Sequence, residues 1–98
     1  MAYGSRSKNA RDTGVTFPLL ECWSPVNDNA TFAADVNGRR VLCRVEPSAL
    51  QADRPVKADI CMKALARHRS TMQATARKLI EEERFQADGS ILIRKSDL

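Results

Sequence analysis

The pattern around Asn37-Gly38 is the clearest structural signal in the chain. Residues 30–36 and 39–46 alternate apolar and polar positions on either side of this pair, which favours a two-residue hairpin turn. The turn fixes the register, so that Phe32 faces Cys43 among apolar neighbours. Polar pairs fall on the other side: Asp35 with Arg40, and Thr31 with Arg44. The pattern predicts a β-hairpin with one apolar and one charged face.

Helical periodicity begins after this hairpin. Pro47 suits the first turn of a short helix over residues 47–52, and Pro55 breaks it. Asp59 is a plausible N-cap of a long helix that runs to about Glu83. One stripe of that helix is mainly apolar: Cys61, Leu65, His68, Met72, Ala76 and Leu79. The opposite side is mainly polar: Lys63, Arg67, Ser70, Ala74, Arg77 and Lys78. The spacing therefore predicts an amphipathic helix.

Weaker patterns complete the predicted fold. Residues 15–17 favour a short strand that Pro18 ends or confines to an edge, residues 19–29 favour an irregular connection, and residues 90–94 favour a final strand. We therefore predict an α+β domain over residues 15–98, with a mostly antiparallel sheet of about four strands against one short and one long helix. Residues 1–14 lack a hydrophobic period and are expected to form a disordered basic arm.

Several segments are similar to a bacterial family known as domain of unknown function 1488. The matching runs are the hairpin with Val45-Glu46-Pro47-Ser48-Ala49-Leu50, then Ala76-Arg77-Lys78-Leu79-Ile80, Arg84-Phe85, Asp88-Gly89-Ser90-Ile91-Leu92-Ile93-Arg94 and Asp97-Leu98. The resemblance covers about residues 15–98 and implies a small α+β fold with helices against an antiparallel sheet. It implies no activity and carries over no catalytic or binding residue. Glu46 and Leu65 depart from the family, which usually has a small polar residue and a larger apolar residue there.

Length and charge restrict the classes of function. The chain has 98 residues and a formal net charge of +4, and the first 14 residues contribute half of that excess. No stretch approaches the roughly 18 apolar residues of a membrane span, and the polar N-terminus lacks the apolar segment of a secretory signal. Three cysteines without such a signal fit reduced thiols. We therefore expect a cytoplasmic protein that does not bind membranes.

The candidate chemical groups do not combine into a familiar catalytic or metal site. Cys22, Cys43 and Cys61 are widely spaced and His68 is the only histidine, so no pairs with zinc-ligand spacing exist. His68 follows Cys61 by about two helical turns, too far to share a proton. Phosphate-binding glycine loops and convergent carboxylate pairs are also missing from the sequence. We expect no metal, no cofactor and no enzymatic activity; a thiol enzyme using Cys22 is the least favoured hypothesis.

Two surfaces remain as candidate binding sites. The first is the cationic helix face: Lys63, Arg67, Arg77 and Lys78. With the basic arm it could contact nucleic-acid phosphates, although a solvated helix face has the same composition. The second is the outer sheet face, where Ala33, Leu42 and Leu92 accompany Arg40, Arg44 and Arg94, a composition typical of protein interfaces. A covering helix or N-terminal segment is the alternative explanation.

The outer sheet face carries the first hypothesis of function. We predict a non-enzymatic protein-interaction module that binds another protein or itself through this face or through an edge strand. Weak, sequence-tolerant nucleic-acid binding through the helix face and arm is the alternative.

Overall fold

A computed structural model describes residues 14–51 and 56–98 of the chain. The predicted arm, apart from Gly14, lies outside the described residues. So do residues 52–55, which comprise the end of the predicted short helix and the break at Pro55.

Five strands within the described ranges form one mixed sheet. Their bounds are β1 Val15–Thr16, β2 Glu21–Ser24, β3 Asn29–Val36, β4 Arg39–Val45 and β5 Ile91–Ile93. β4 separates β3 from β5, and the other edge of β3 pairs with β1 at one end and β2 at the other. The long hairpin strands β3 and β4 therefore form the centre of the sheet.

The predicted hairpin is confirmed, including its register. Phe32 lies opposite Cys43 and Asp35 opposite Arg40. Asn37 and Gly38 have φ angles of 51° and 84°, the positive values that this two-residue turn requires. The local pattern was sufficient here because turn chemistry and side-chain alternation specify the same pairing.

One expectation about the sheet was wrong in detail. Residues 21–24, within the predicted irregular connection, form β2 and pair antiparallel with β3 across the turn at residues 25–28. The turn residues there obscured a strand of only four residues. β5 lies parallel to β4, because the chain crosses over through the helical segment before it returns to the sheet. The other three pairings are antiparallel, so the sheet is mostly antiparallel, as predicted.

The predicted long helix is instead two helices. The helical elements are a 3-10 turn at Pro47–Leu50, α1 at Ala58–Arg67, α2 at Arg69–Glu81 and a final 3-10 turn at Lys95–Asp97. His68 interrupts the helix with φ −108° and ψ 25°, and its side chain is exposed rather than part of an apolar stripe. Lys57, not Asp59, occupies the N-cap of α1. The periodicity did not indicate the break, because buried positions recur at helical spacing on both sides of it, at Cys61 and Leu65 and at Met72 and Ala76.

The core lies between one face of the sheet and the helices. Alternate residues of the hairpin belong to this core and pack with positions from both helices: Phe32, Ala34, Val41, Cys43, Val45, Cys61, Leu65, Met72, Ala76 and Leu79. Leu65 is 0% exposed. Glu46 occupies the N-cap of the first 3-10 turn without a side-chain capping hydrogen bond. Both α-helices thus cover the same side of the sheet.

An ion pair that the sequence did not reveal joins the two layers. Arg69, the first residue of α2, donates from Nε and Nη2 to the Glu21 carboxylate at 2.6 and 2.9 Å. This two-point contact raises the pKa of Arg69 and fixes the start of α2 against β2. The partners are 48 residues apart, so no local pattern could indicate it.

Candidate interaction surface

The side chains that point away from the helices define the outer face of the sheet. On β3 and β4 they alternate with the core positions, and two of them, Thr31 and Ala33, are themselves buried: Thr31, Ala33, Asp35, Arg40, Leu42 and Arg44. Leu92 of β5 lies opposite Arg44 and belongs to the same face. The sequence-predicted surface is therefore largely brought together by the fold.

An apolar row crosses the middle of the outer face. Leu42 lies opposite Ala33 on one side, and the Ala33 N–H donates to the Leu20 carbonyl oxygen at 3.2 Å on the other. The row of Leu20, Ala33 and Leu42 is called the apolar row below. Leu20 and Leu42 are 51% and 47% exposed. Leu20 is not part of the sequence-predicted surface, because its position on this face becomes evident only once β2 is recognised as a strand.

Charged side chains flank the apolar row. On one side, Arg40 Nε donates to Asp35 Oδ1 at 2.6 Å. On the other side, Arg44 Nε donates to Ser90 Oγ at 3.1 Å. Ser90 in turn donates to Asp88 Oδ1 from Oγ at 2.6 Å and from its backbone N–H at 2.9 Å. These bonds, and the nearby charge of Arg44, lower the pKa of Asp88. Both arginines are thus held beside the row.

The remaining predicted interface residues lie at the β5 edge. Leu92 is partly buried, whereas Arg94 is exposed and follows β5 directly. The Arg94 backbone N–H donates to Asp97 Oδ2 at 2.9 Å, which fixes the chain as it leaves the sheet. Both α-helices pack on the opposite face and leave Leu42 half exposed, whereas Thr31 and Ala33 of the same outer face are buried.

The predicted cationic helix face is divided between two helices. Lys63 and Arg67 are exposed on α1, and Lys78 is exposed on α2. Arg77 is partly buried: its Nη2 donates to the Val15 carbonyl oxygen at 3.2 Å, and its guanidinium lies 5.6 Å from the centroid of the Phe17 ring. Arg77 therefore packs against the β1 edge, and the break at His68 separates it from the α1 cations.

The thiols divide into one exposed and two buried groups. Cys43 and Cys61 are buried in the core, and burial raises the pKa of Cys43 to about 12. Burial, with a smaller contribution from Asp59, also raises the pKa of Cys61. Cys22 is exposed, and its Sγ lies 3.0 Å from Thr31 Oγ1. Across residues 14–51 and 56–98, no three His, Cys, Asp or Glu side chains form a potential metal site.

The helices of the described segments give no sign of a membrane span: none combines the length and the apolar character that crossing requires.

Comparison with known proteins places this geometry in a family. The fold resembles the crystal structure of a DUF1488-family protein of unknown function from Shewanella loihica PV-4, with a TM-score of 0.76. That likeness covers 84% of this chain and 93% of the other at 21% identity, so it concerns the fold alone. None of the curated protein sequences is significantly similar. The family described as "Protein of unknown function (DUF1488)" matches residues 15–93, and since this match spans most of the chain, the protein belongs to the DUF1488 family.

Proposed function

We propose that this protein is a non-enzymatic protein-interaction module that associates with a second copy of itself through the outer face. The observation that carries the proposal is the apolar row, with two half-exposed leucines on the side of the sheet away from the helices. Apolar side chains ringed by arginine are typical of the centre and rim of a protein interface.

The charges around the apolar row favour a second copy as the partner. Asp35 and Arg40 lie side by side next to the row, and Arg44 lies near Asp88 through Ser90. The surface thus carries both signs of charge close together. In a two-fold interface the same patch meets itself, so a patch with both signs can face its own copy without like-charge repulsion.

Sedimentation equilibrium of wild type, Leu42→Glu and Ile60→Glu tests the proposal. Ile60 is a matched control, because it is 51% exposed and belongs to α1 on the other layer. Burying an unpaired carboxylate at an interface is costly, so we expect Leu42→Glu to weaken association by roughly tenfold or more. Ile60→Glu should associate like wild type.

Two results would contradict the proposal. One is a wild-type chain that remains monomeric at concentrations up to about 1 mM, where even an interaction of only about 4 kcal/mol becomes visible. The other is Leu42→Glu associating as strongly as wild type.

Nucleic-acid binding stays the alternative hypothesis, favoured by the exposed cations Lys63, Arg67 and Lys78. It predicts affinity for a single-stranded oligonucleotide that falls steeply between about 50 and 200 mM salt. Replacing these three residues together with Arg77 by glutamine should abolish the binding. Affinity that does not change with salt would exclude this function.

A further inference from the structure

Partners within the chain occupy part of two of the sheet's edges. In β1, the Val15 carbonyl oxygen points away from β3 and accepts from Arg77 Nη2 at 3.2 Å. Directly before β5, the Ser90 N–H donates to Asp88 Oδ1 at 2.9 Å, and the Ser90 carbonyl oxygen accepts from the Gln86 N–H at 2.7 Å. These two edges are therefore partly closed to another strand.

The edge formed by β2 has no such partners. The Ala33 N–H donates to the Leu20 carbonyl oxygen, and bonded pairs alternate along an antiparallel ladder. The backbone groups of Cys22 therefore face β3, whereas Glu21 and Trp23 direct their N–H and C=O groups away from the sheet. Within residues 14–51 and 56–98, nothing bonds to these backbone groups. β2 thus presents two free donors and two free acceptors.

β2 also lacks the features that usually prevent edge strands from pairing. Neither proline nor lysine occurs within Glu21–Ser24, although both commonly protect edges. The Glu21 carboxylate is held by Arg69 of the helical layer, so it presents no unpaired charge at the edge. Such an edge can accept a further strand through its backbone groups.

The free backbone groups of β2 are arranged symmetrically about Cys22. If a second β2 runs antiparallel with the two Cys22 residues opposite each other, Glu21 of each copy lies opposite Trp23 of the other. Both are then bonded pairs, and every free group of β2 finds a partner. Other registers leave some of these groups unpaired within β2. The edge is therefore complementary to itself, as a two-fold contact requires.

We propose that two copies of this protein join edge to edge through β2, in an antiparallel pair centred on Cys22 that makes one continuous sheet. This contact is separate from the apolar row and does not depend on it. Because only three residues of each copy pair, the contact is smaller than a standard interface and weaker than association through the outer face.

A disulfide between the two Cys22 residues allows this small contact to be tested in the Leu42→Glu variant, in which the outer-face association is weakened. The register brings the Cys22 Cα atoms to about 4.5 Å, within the range that a disulfide spans. Diamide takes two electrons and two protons from the two thiols, and the S–S bond forms. Cys43 and Cys61 are buried. The tether raises the effective concentration of one edge at the other.

Hydrogen exchange followed by NMR reports whether the tethered edges pair. We expect the Glu21 and Trp23 amides to exchange more slowly, by roughly tenfold or more, in the disulfide dimer than in the reduced monomer. The Cys22 amide, which is bonded to β3 in both states, is the internal reference. The control carries Cys22→Ser and Lys78→Cys beside Leu42→Glu and is tethered through an exposed position of α2; its two amides should exchange as in the monomer.

Three results would overturn the proposal. The first is unchanged exchange at Glu21 and Trp23 in the dimer linked through Cys22, and the second is equal slowing in the dimer linked through position 78. The third is equal slowing of the reduced monomer by excess acetyl-Thr-Val-Thr-Val-Thr-amide, which would assign the edge to extended peptides in general. None of these results bears on the outer face, because every sample carries Leu42→Glu.

Discussion

Leu65→Ala tests whether α1 packs on the sheet through the face that the structure assigns to it. Leu65 is 0% exposed, at the centre of the core. Removing three buried carbons costs about 2.4 kcal/mol in transfer free energy, and the cavity left behind adds about 1 kcal/mol or more. We therefore expect a loss of about 3–4 kcal/mol in the free energy of unfolding.

The matched control is Ile60→Ala, on the same helix but 51% exposed. Its free energy of unfolding is expected to differ from that of the wild type by no more than about 0.5 kcal/mol, as for most surface substitutions. Urea denaturation followed by the fluorescence of Trp23, which packs against the core, measures both changes. Equal losses in the two variants, or a loss below about 1 kcal/mol for Leu65→Ala, would refute the packing argument.

Two further predictions concern titratable groups. Ellman's reagent should modify only the Cys22 thiol of the native chain and all three thiols after unfolding. The reason is that Cys43 and Cys61 are buried and their pKa values are raised. A second fast-reacting thiol in the native chain would contradict this prediction. The lowered folded pKa of Asp88 means that its ionised form stabilises the fold above the unfolded pKa of about 3.9, and that this contribution disappears as pH falls through the folded pKa. Thermal melts should therefore show wild type more stable than Asp88→Asn near neutral pH, with the difference shrinking in acid; a difference that grows in acid would refute the assignment.

The sequence predicted the parts of the fold in which local chemistry and periodicity agree. The Asn37-Gly38 turn fixed the hairpin, and its register then placed Leu42 and Arg44 on the outer face, as the structure confirms. The α+β class follows from the same patterns and agrees with the family fold.

The remaining features depend on contacts between distant residues. The parallel pairing of β5 with β4 is a property of the crossover path, and the Arg69–Glu21 ion pair joins residues 48 positions apart. The break at His68 has no glycine or proline to indicate it. Leu20 joins the apolar row only because β2 pairs with β3. Local patterns could not predict these features. Two of them, the pairing of β5 with β4 and the position of Leu20, shape the candidate surface.

The most direct test of the central claim uses the exposed thiol of Cys22, beside Thr31 on the outer face. One sample carries a nitroxide on Cys22 and natural-abundance nitrogen; the other is ¹⁵N-labelled and carries no nitroxide. The two samples are mixed, and the broadening of the ¹⁵N-labelled amide signals by the nitroxide of a second copy is measured. Association through the outer face predicts broadening around Ala33 and Leu42, and none on the exposed sides of α1 and α2. Broadening confined to the helices, or no broadening at any concentration, would contradict the account.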